Sequence, residues 1–111
     1  MTVQPGPGAY LYVVRCRLRD ESRERDWNEW YDSVHVPAML QVPGILGVRR
    51  FKALDDQLSY LALYDLESTE VFDHPRYLAA RGWGEWETYV AEWSREIVAR
   101  SGDQSEQGLQ T

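Results

Sequence analysis

Two apolar runs separated by a short polar turn constrain the fold of this chain more than any other feature. The runs Ile45 to Leu54 and Leu58 to Leu66 are rich in aliphatic and aromatic residues, and only Asp55-Asp56-Gln57 separates them. Because so short a connection joins neighbouring antiparallel strands, the two runs predict a β-hairpin. Residues Ala9 to Leu18 predict an earlier strand, since aromatic and aliphatic side chains dominate its first half and alternate with arginine in its second.

A helical pattern precedes the hairpin. The apolar side chains of Trp27, Trp30, Tyr31 and Val34 recur at spacings of three, one and three, which predicts a helix from about Arg23 to Val34 with these residues on one face. A proline disfavours helical geometry at the residue before it. We therefore expect the helix to bend or restart at Pro37.

A second helical region follows the hairpin. Ser68 is a candidate N-cap for a helix that reaches Gly82 with one interruption at Pro75. The spacing three, one and three returns within Trp83 to Trp93 and predicts further helical turns there. The stretch Ser94 to Arg100 fits either a fourth strand or a continued helix.

The predicted order β-α-β-β-α-β is that of the split βαβ motif of ferredoxin-like domains, an α+β sandwich in which two helices cover one face of a four-stranded antiparallel sheet. Residues 9–100 form this domain, and residues 1–8 and 101–111 are predicted to be flexible tails. The uncovered sheet face remains partly apolar, so we expect two copies to pack sheet on sheet as a homodimer.

The amino-acid composition limits the classes of molecule that this chain is expected to bind. Five Trp and seven Tyr among 111 residues supply large rigid surfaces for a core, an interface or a pocket. The formal charge of -6 disfavours nucleic acid, which requires clustered Lys and Arg. With Cys16 as the single cysteine, no intrachain disulfide forms, and this favours the cytoplasm. No apolar run is long enough to cross a membrane.

The densest group of candidate functional residues is Trp30-Tyr31-Asp32-Ser33-Val34-His35. Tyr31 and Asp32 precede His35 by four and three residues, so on a helix they share its face, and Asp32 is placed to orient the imidazole. Histidine exchanges protons near neutral pH and suits a general acid or base. The alternative is a histidine that bonds the backbone at a helix end, which composition alone favours by about two to one.

Tyrosines form a second group. Tyr10 and Tyr12 share one face of the first strand, and Tyr60 and Tyr64 share one face of the third. Their hydroxyls are candidates to polarise a substrate carbonyl, and the rings are equally suited to fill a core or interface, since the sequence does not say which sheet face meets the helices. Arg49 and Arg50 point to opposite faces, so one of them is a candidate carboxylate ligand.

The remaining candidates concern the second helical region and metals. Trp83 and Trp86 lie beside glycines and form either a cap over an apolar ligand or a packed corner. The other histidine, His74, precedes Pro75 and suits an exposed turn. Two distant histidines with one cysteine make a poor ligand set, so we expect no metal, and without a glycine-rich phosphate loop or nucleophile motif we expect no cofactor.

The chain resembles the EthD-like branch of the dimeric α+β barrel proteins. The resemblance spans roughly residues 9–100 and rests on four segments: Trp30 to Pro37, Val42-Pro43-Gly44-Ile45, Arg49-Arg50-Phe51, and Tyr60 to Leu66. It implies a ferredoxin-like protomer in a dimeric barrel, with His35 facing a cavity between helices and sheet, and so reverses the preference for a structural histidine. Similar sequences often carry an acidic residue before this histidine, where this chain has Val34.

The resemblance and the residues together predict an enzyme that uses no cofactor and moves a proton on a small aromatic, polyketide-like or lactone substrate, as an isomerase, cyclase, dehydratase or decarboxylase. The alternatives are a cofactor-free monooxygenase and a non-catalytic dimer that carries a small hydrophobic molecule. The predicted catalytic residues are His35, Tyr12, Tyr64 and Asp32. The predicted substrate-binding residues are Trp30, Tyr31, Arg50, Tyr60, Trp83 and Trp86.

Overall fold

A four-stranded antiparallel sheet forms the frame of the protein. The computed structural model describes residues 8–102; apart from Gly8, Ser101 and Gly102, the predicted tails lie outside this range. The strands are β1 (Tyr10–Leu18), β2 (Ile45–Lys52), β3 (Ser59–Leu66) and β4 (Val90–Ala99), arranged in the order β2-β3-β1-β4. All neighbouring strands are antiparallel, which confirms the predicted hairpin and the ferredoxin-like α+β fold.

One continuous helical segment connects β1 to β2. A 3₁₀ turn at Glu21–Arg23, capped by the Asp20 side chain, leads into α1 (Glu24–Trp30), a π-helical turn (Tyr31–His35) and α2 (Val36–Leu40). The predicted bend or restart lies just before Pro37: the α-helix changes to the π turn and restarts as α2 at Val36, which keeps helical φ and ψ angles of -59° and -49°. The π turn immediately before the proline, in which the Val36 N–H donates to the Tyr31 carbonyl, lets the helix continue past a residue that has no N–H to donate.

The connection from β3 to β4 is made of short pieces. Thr69–Asp73 forms a 3₁₀ turn capped by Ser68, α3 spans Pro75–Ala80, and a second 3₁₀ turn spans Gly84–Tyr89. The prediction of helix through Trp93 is wrong, because strand β4 begins at Val90 and pairs with β1 along its length. A spacing of three, one and three fits a single 3₁₀ turn followed by a strand as well as it fits a helix.

The helices pack on the sheet face that carries the tyrosines. On this face β1 and β3 contribute seven buried side chains: Tyr12, Val14, Cys16, Leu18, Ala62, Tyr64 and Leu66. Trp27, Tyr31 and Met39 of the helical segment complete the same core. The open question of which sheet face meets the helices is thus answered.

Strand β4 is only partly covered. Helix α3 is six residues long, and on its side of the sheet Trp93 is 53% exposed and Ile97 39% exposed. The register pairs Trp93 with Cys16 and Ile97 with Tyr12, so both side chains belong to the helix-bearing face. The opposite face, called the outer face below, is free of helices and carries apolar side chains from all four strands: Leu11, Val13, Phe51, Leu61, Leu63 and Val98. In the described part of the chain, no helix combines the length and apolar character that a bilayer crossing demands.

Candidate active site

His35 lies inside the protein at the end of the π turn. Its side chain is 8% exposed, stacks on Trp30 with ring centroids 5.2 Å apart, and meets the Tyr31 ring edge-on at 4.9 Å. Among residues 8–102, neither ring nitrogen has a hydrogen-bond partner. The imidazole is therefore held by aromatic packing, and the alternative of a histidine bonded to the backbone does not describe this ring.

The imidazole borders a small cavity between the helical segment and the sheet. Its volume is about 40 Å³, and aromatic rings form most of its wall. The lining residues are Tyr12, Val14, Tyr31, His35, Met39, Tyr64, Tyr77, Arg81, Gly82, Trp83 and Trp93. Arg81, Gly82 and Trp93 are exposed, so the cavity approaches the surface between α3 and β4.

Four tyrosine hydroxyls of this wall form two hydrogen-bonded pairs. The Tyr31 and Tyr64 oxygens lie 2.5 Å apart, and the Tyr12 and Tyr77 oxygens lie 3.5 Å apart. In each pair one hydroxyl donates to the other, and the accepting hydroxyl keeps its own hydrogen. Each pair can therefore donate one hydrogen bond to an oxygen atom of a ligand in the cavity.

Burial sets the protonation states of these groups. Desolvation, followed by the positive charge of Arg50, lowers the pKa of His35 to about 4. Desolvation also raises the pKa of Tyr31 to about 12, and it raises the pKa values of Tyr12 and Tyr64 further. At neutral pH the cavity thus holds an uncharged imidazole, which accepts a proton, together with protonated phenols, which donate hydrogen bonds.

Asp32 does not contact the imidazole. Its carboxylate, whose side chain is 65% exposed, accepts a hydrogen bond of 2.6 Å from Arg50 Nη1. The prediction that Asp32 orients His35 assumed the geometry of an α-helix, and the wider π turn leaves only Tyr31 on the face of the histidine. The ring is oriented by Trp30 and Tyr31 instead.

Arg50 and Tyr60 lie beside the cavity rather than on its wall. The Arg50 guanidinium packs 4.0 Å above the Tyr31 ring, and its Nη2 donates to Asn28 at 2.8 Å. The Tyr60 hydroxyl is engaged with Glu24 and Asn28. In this arrangement the two predicted substrate-binding residues attach α1 to the sheet, while the charge of Arg50 acts on His35 through space.

The two predicted cap residues occupy a packed corner. Trp83 is 8% exposed, lines the cavity and lies 6.2 Å from the Tyr31 ring, whereas Trp86 packs between Trp30 and Tyr89 away from the cavity. The corner turns at Gly82 and Gly84, whose positive φ angles of 96° and 56° favour glycine. Both tryptophans thus pack in a corner, and a role of Trp83 as a cap over an apolar ligand stays a prediction.

His74 has a structural role in this fold. Its Nδ1 accepts a hydrogen bond of 3.0 Å from the Arg76 N–H and so caps α3. Within residues 8–102, no three His, Cys, Asp or Glu side chains gather closely enough to hold a metal ion.

Sequence reasoning did not identify Tyr77, Trp93 and Arg95 as residues of the site. Arg95 Nη1 donates to the Tyr77 hydroxyl at 3.3 Å and extends the second tyrosine pair toward the surface. The alternation of Trp93, Arg95 and Ile97 indicates that the three side chains share one face of a strand. This pattern was overlooked because a helix was predicted through Trp93.

Comparison with protein-family models and with curated proteins gives no match. Solved structures match the fold over most of the chain. A monooxygenase of Streptomyces coelicolor in complex with the ligand nanaomycin D has a TM-score of 0.69 at 13% identity, covering 88% of this chain and 92% of its own. SnoaB, a cofactor-independent oxygenase of Streptomyces nogalater, has a TM-score of 0.67 at 10% identity, covering 85% and 94%.

A dimeric ferredoxin-like protein from an uncultured marine organism also matches, with a TM-score of 0.67 at 14% identity over 91% of this chain and 96% of its own. At these identities the likeness establishes the fold. The chain thus has the fold of the dimeric ferredoxin-like proteins, and the two neighbours from Streptomyces are described as oxygen-using enzymes. Membership of the EthD-like branch stays a prediction.

The hydroxyl pair of Tyr31 and Tyr64 gives a test of this geometry. Either single change to Phe leaves one buried hydroxyl without its partner and is expected to lower the free energy of unfolding by about 1–3 kcal/mol. The double variant removes both hydroxyls, so its loss is expected to be at least about 1 kcal/mol smaller than the sum of the single losses. Urea unfolding of the three variants measures this coupling.

Tyr89→Phe is the matched control, because the Tyr89 hydroxyl has no hydrogen-bond partner in the described residues and its removal is expected to change the free energy of unfolding by less than about 0.5 kcal/mol. Additive losses from the Tyr31 and Tyr64 changes would show that the two hydroxyls do not interact.

Proposed function

We propose that this protein is a cofactor-independent oxygenase that removes a proton from a hydroxylated aromatic or polyketide-like molecule and lets the resulting anion react with molecular oxygen. The observation that carries the proposal is the uncharged, buried His35, whose ring nitrogens have no hydrogen-bond partner among residues 8–102 and which borders a cavity lined by four tyrosines. Neighbours of the same fold that are described as oxygenases support oxygen as the second reactant.

The first step is the transfer of a proton from an acidic C–H bond of the substrate to His35. The electron pair left on carbon delocalises onto a conjugated carbonyl oxygen, where a tyrosine hydroxyl donates a hydrogen bond to the developing charge. An imidazole with a pKa near 4 is a weak base in the empty site. The anion formed beside it stabilises the imidazolium, since charges attract strongly in a desolvated cavity, and this raises the basicity of His35 as the reaction proceeds.

The second step uses molecular oxygen as the oxidant. The carbanion gives electrons to oxygen and forms a C–O bond, and the imidazolium returns its proton to the peroxide. Loss of water then leaves a carbonyl, so a CH₂ group and O₂ become C=O and H₂O. His35 ends in its starting state, and the residues needed are a proton acceptor, hydroxyl donors and an apolar wall.

The size of the cavity limits how a substrate binds. Ligand sites commonly span roughly 300–1,000 Å³, and a volume of about 40 Å³ admits only the reacting edge of a ring system. The remainder of the molecule must lie toward Arg81, Gly82 and Trp93, where the cavity approaches the surface.

The isomerase, cyclase, dehydratase or decarboxylase reading shares the proton transfer and differs only in what the anion does next. A carrier needs neither step. One test compound distinguishes the oxygenase, the proton-transfer enzyme and the carrier. In 1,8-dihydroxyanthrone, a carbonyl and two phenol rings acidify a methylene group. Deuterium exchange at this methylene reports proton transfer, and oxygen consumption reports oxidation.

With this substrate we expect the protein to accelerate both deuterium exchange under nitrogen and oxygen uptake in air. His35→Gln removes the base and is expected to slow both by about 10²–10⁴-fold. The pH profile of kcat/KM is expected to stay level toward acid until it falls as His35 protonates near pH 4. An oxygen electrode and proton NMR provide the measurements.

His74→Gln is the matched control, because it replaces the other histidine of the chain, which caps α3 away from the cavity. It is expected to leave the rates within about twofold. Exchange without oxygen uptake would contradict the oxygenase and support the proton-transfer enzyme. Equal rates for the two histidine variants would contradict both and support a carrier.

We also propose that two copies pair through the outer face of the sheet. This face carries Phe51, 47% exposed, and Val98, 36% exposed, beside the partly buried Leu61 and Leu63. A twofold contact buries the same patch on both partners, and about 800 Å² on each is typical of a stable pair. The neighbour described as dimeric supports the pairing of two copies.

Phe51→Glu tests the pairing. It places a charge on the outer face without disturbing the core, so we expect sedimentation to report a single chain in place of two. Leu78→Glu is the control, since Leu78 is similarly exposed at 46% but lies on α3, on the other side of the sheet. A wild-type protein that sediments as a monomer, or variants that dissociate equally, would contradict the proposed interface.

A further inference from the structure

The cavity opens onto an exposed strip of strand β4. Trp93, Arg95 and Ile97 alternate along the strand and project from its helix-bearing face, because they pair with Cys16, Val14 and Tyr12 of β1. All three are exposed, and Trp93 also lines the cavity. This β4 strip, defined by Trp93, Arg95 and Ile97, is therefore a surface continuous with the cavity wall.

Among residues 8–102, two arginines near this opening, Arg81 and Arg95, are not paired with carboxylates, whereas several other arginines are. Five arginines form ion pairs with carboxylates: Arg15 with Glu96, Arg17 with Asp56, Arg23 with Asp26, Arg49 with Asp65, and Arg50 with Asp32. Arg81 and Arg95 have no carboxylate partner in the described part of the chain. In a protein of net charge -6, the guanidinium of Arg81 thus lines the cavity that contains His35, and that of Arg95 contacts the wall residues Tyr77 and Tyr12.

Arg95 is held in place although it is exposed. Its Nη1 donates to the Tyr77 hydroxyl at 3.3 Å, and its guanidinium carbon lies 5.5 Å from the ring centroids of both Tyr12 and Phe72. A guanidinium has five N–H donors, so this contact leaves most of them available. The group is positioned for a further hydrogen-bond acceptor beside the Tyr12 and Tyr77 pair.

We propose that the substrate carries a carboxylate on its aromatic ring system and that Arg95, with Arg81, binds this carboxylate outside the cavity. The inference rests on the proposed function and names the class of its substrate. A planar ring packs on Trp93, the carboxylate accepts hydrogen bonds from Arg95, and the reacting edge enters the cavity toward His35. This placement also accounts for a cavity that is smaller than the substrate.

The test compares two bicyclic probes that differ in the carboxylate alone. Isothermal titration calorimetry with the full chain at low ionic strength is expected to give 1-hydroxy-2-naphthoate a Kd about tenfold lower than that of 1-naphthol. Arg95→Gln is expected to reduce this preference to less than about threefold, and Arg95→Lys to keep part of it, because lysine retains the charge without the planar donor geometry.

Arg25→Gln is the matched control. Arg25 is an exposed arginine on α1 without a carboxylate partner among residues 8–102, so its removal changes the net charge equally and leaves the opening intact. We expect the preference to persist in this variant. Equal affinity of the wild-type protein for both probes overturns the inference, as does an equal loss of preference in Arg25→Gln and Arg95→Gln.

His35→Gln separates this inference from the proposed function. The variant is expected to retain the preference for the carboxylate, since His35 lies inside the cavity and the two arginines lie at its opening. Turnover of 1,8-dihydroxyanthrone without any preference between the probes would overturn the carboxylate site and leave the oxygenase standing. A preference that depends on Arg95 in a protein without turnover would overturn the oxygenase and leave the anion site.

Discussion

The widened helical turn before Pro37 is the constraint on which the site depends. A proline has no N–H to donate, and the π turn at Tyr31–His35 lets the chain pass from α1 to α2 without a break. The turn directs Tyr31 and His35 together at the sheet, where the Tyr31 hydroxyl bonds that of Tyr64. The helical turn that accommodates Pro37 thus places the Tyr31 hydroxyl, a hydrogen-bond donor, and the His35 imidazole, a proton acceptor, beside the same cavity.

Desolvation then gives these groups their chemical character. Aromatic rings surround the imidazole, so its charged form loses hydration that no carboxylate replaces, and the positive charge of Arg50 acts in the same direction. Asp32 forms its ion pair with Arg50 and does not contact His35. The imidazole and the phenols of Tyr12, Tyr31 and Tyr64 are consequently uncharged at neutral pH, and the guanidinium groups of Arg81 and Arg95, which have no carboxylate partner among residues 8–102, lie toward the surface beside them.

Local patterns were sufficient to predict the first three strands, the hairpin and the grouping of Tyr12 and Tyr64 on one sheet face, because strand alternation and a short turn are properties of neighbouring residues. The stretch Ser94 to Arg100 remained open between a fourth strand and a continued helix. The path past Pro37 was not predicted, since a proline disfavours helical geometry at the residue before it and the sequence pattern does not reveal the π turn that keeps Val36 helical. The start of β4 at Val90 was missed because the spacing of Trp86, Tyr89, Val90 and Trp93 is compatible both with a helix and with a short turn followed by a strand. Without the strand, the position of Arg95 beside the cavity was not predictable either.

The central claim is that His35 is an uncharged base in the folded protein, and its titration tests this most directly. Nitrogen-15 NMR of labelled protein, with His35→Gln used to assign the signal, follows the ring nitrogens from pH 8 to pH 3.5. We expect one protonated and one unprotonated nitrogen at neutral pH and a midpoint near 4. A midpoint at or above the ordinary value of about 6.5 would show a solvated or charge-paired histidine and would contradict the account.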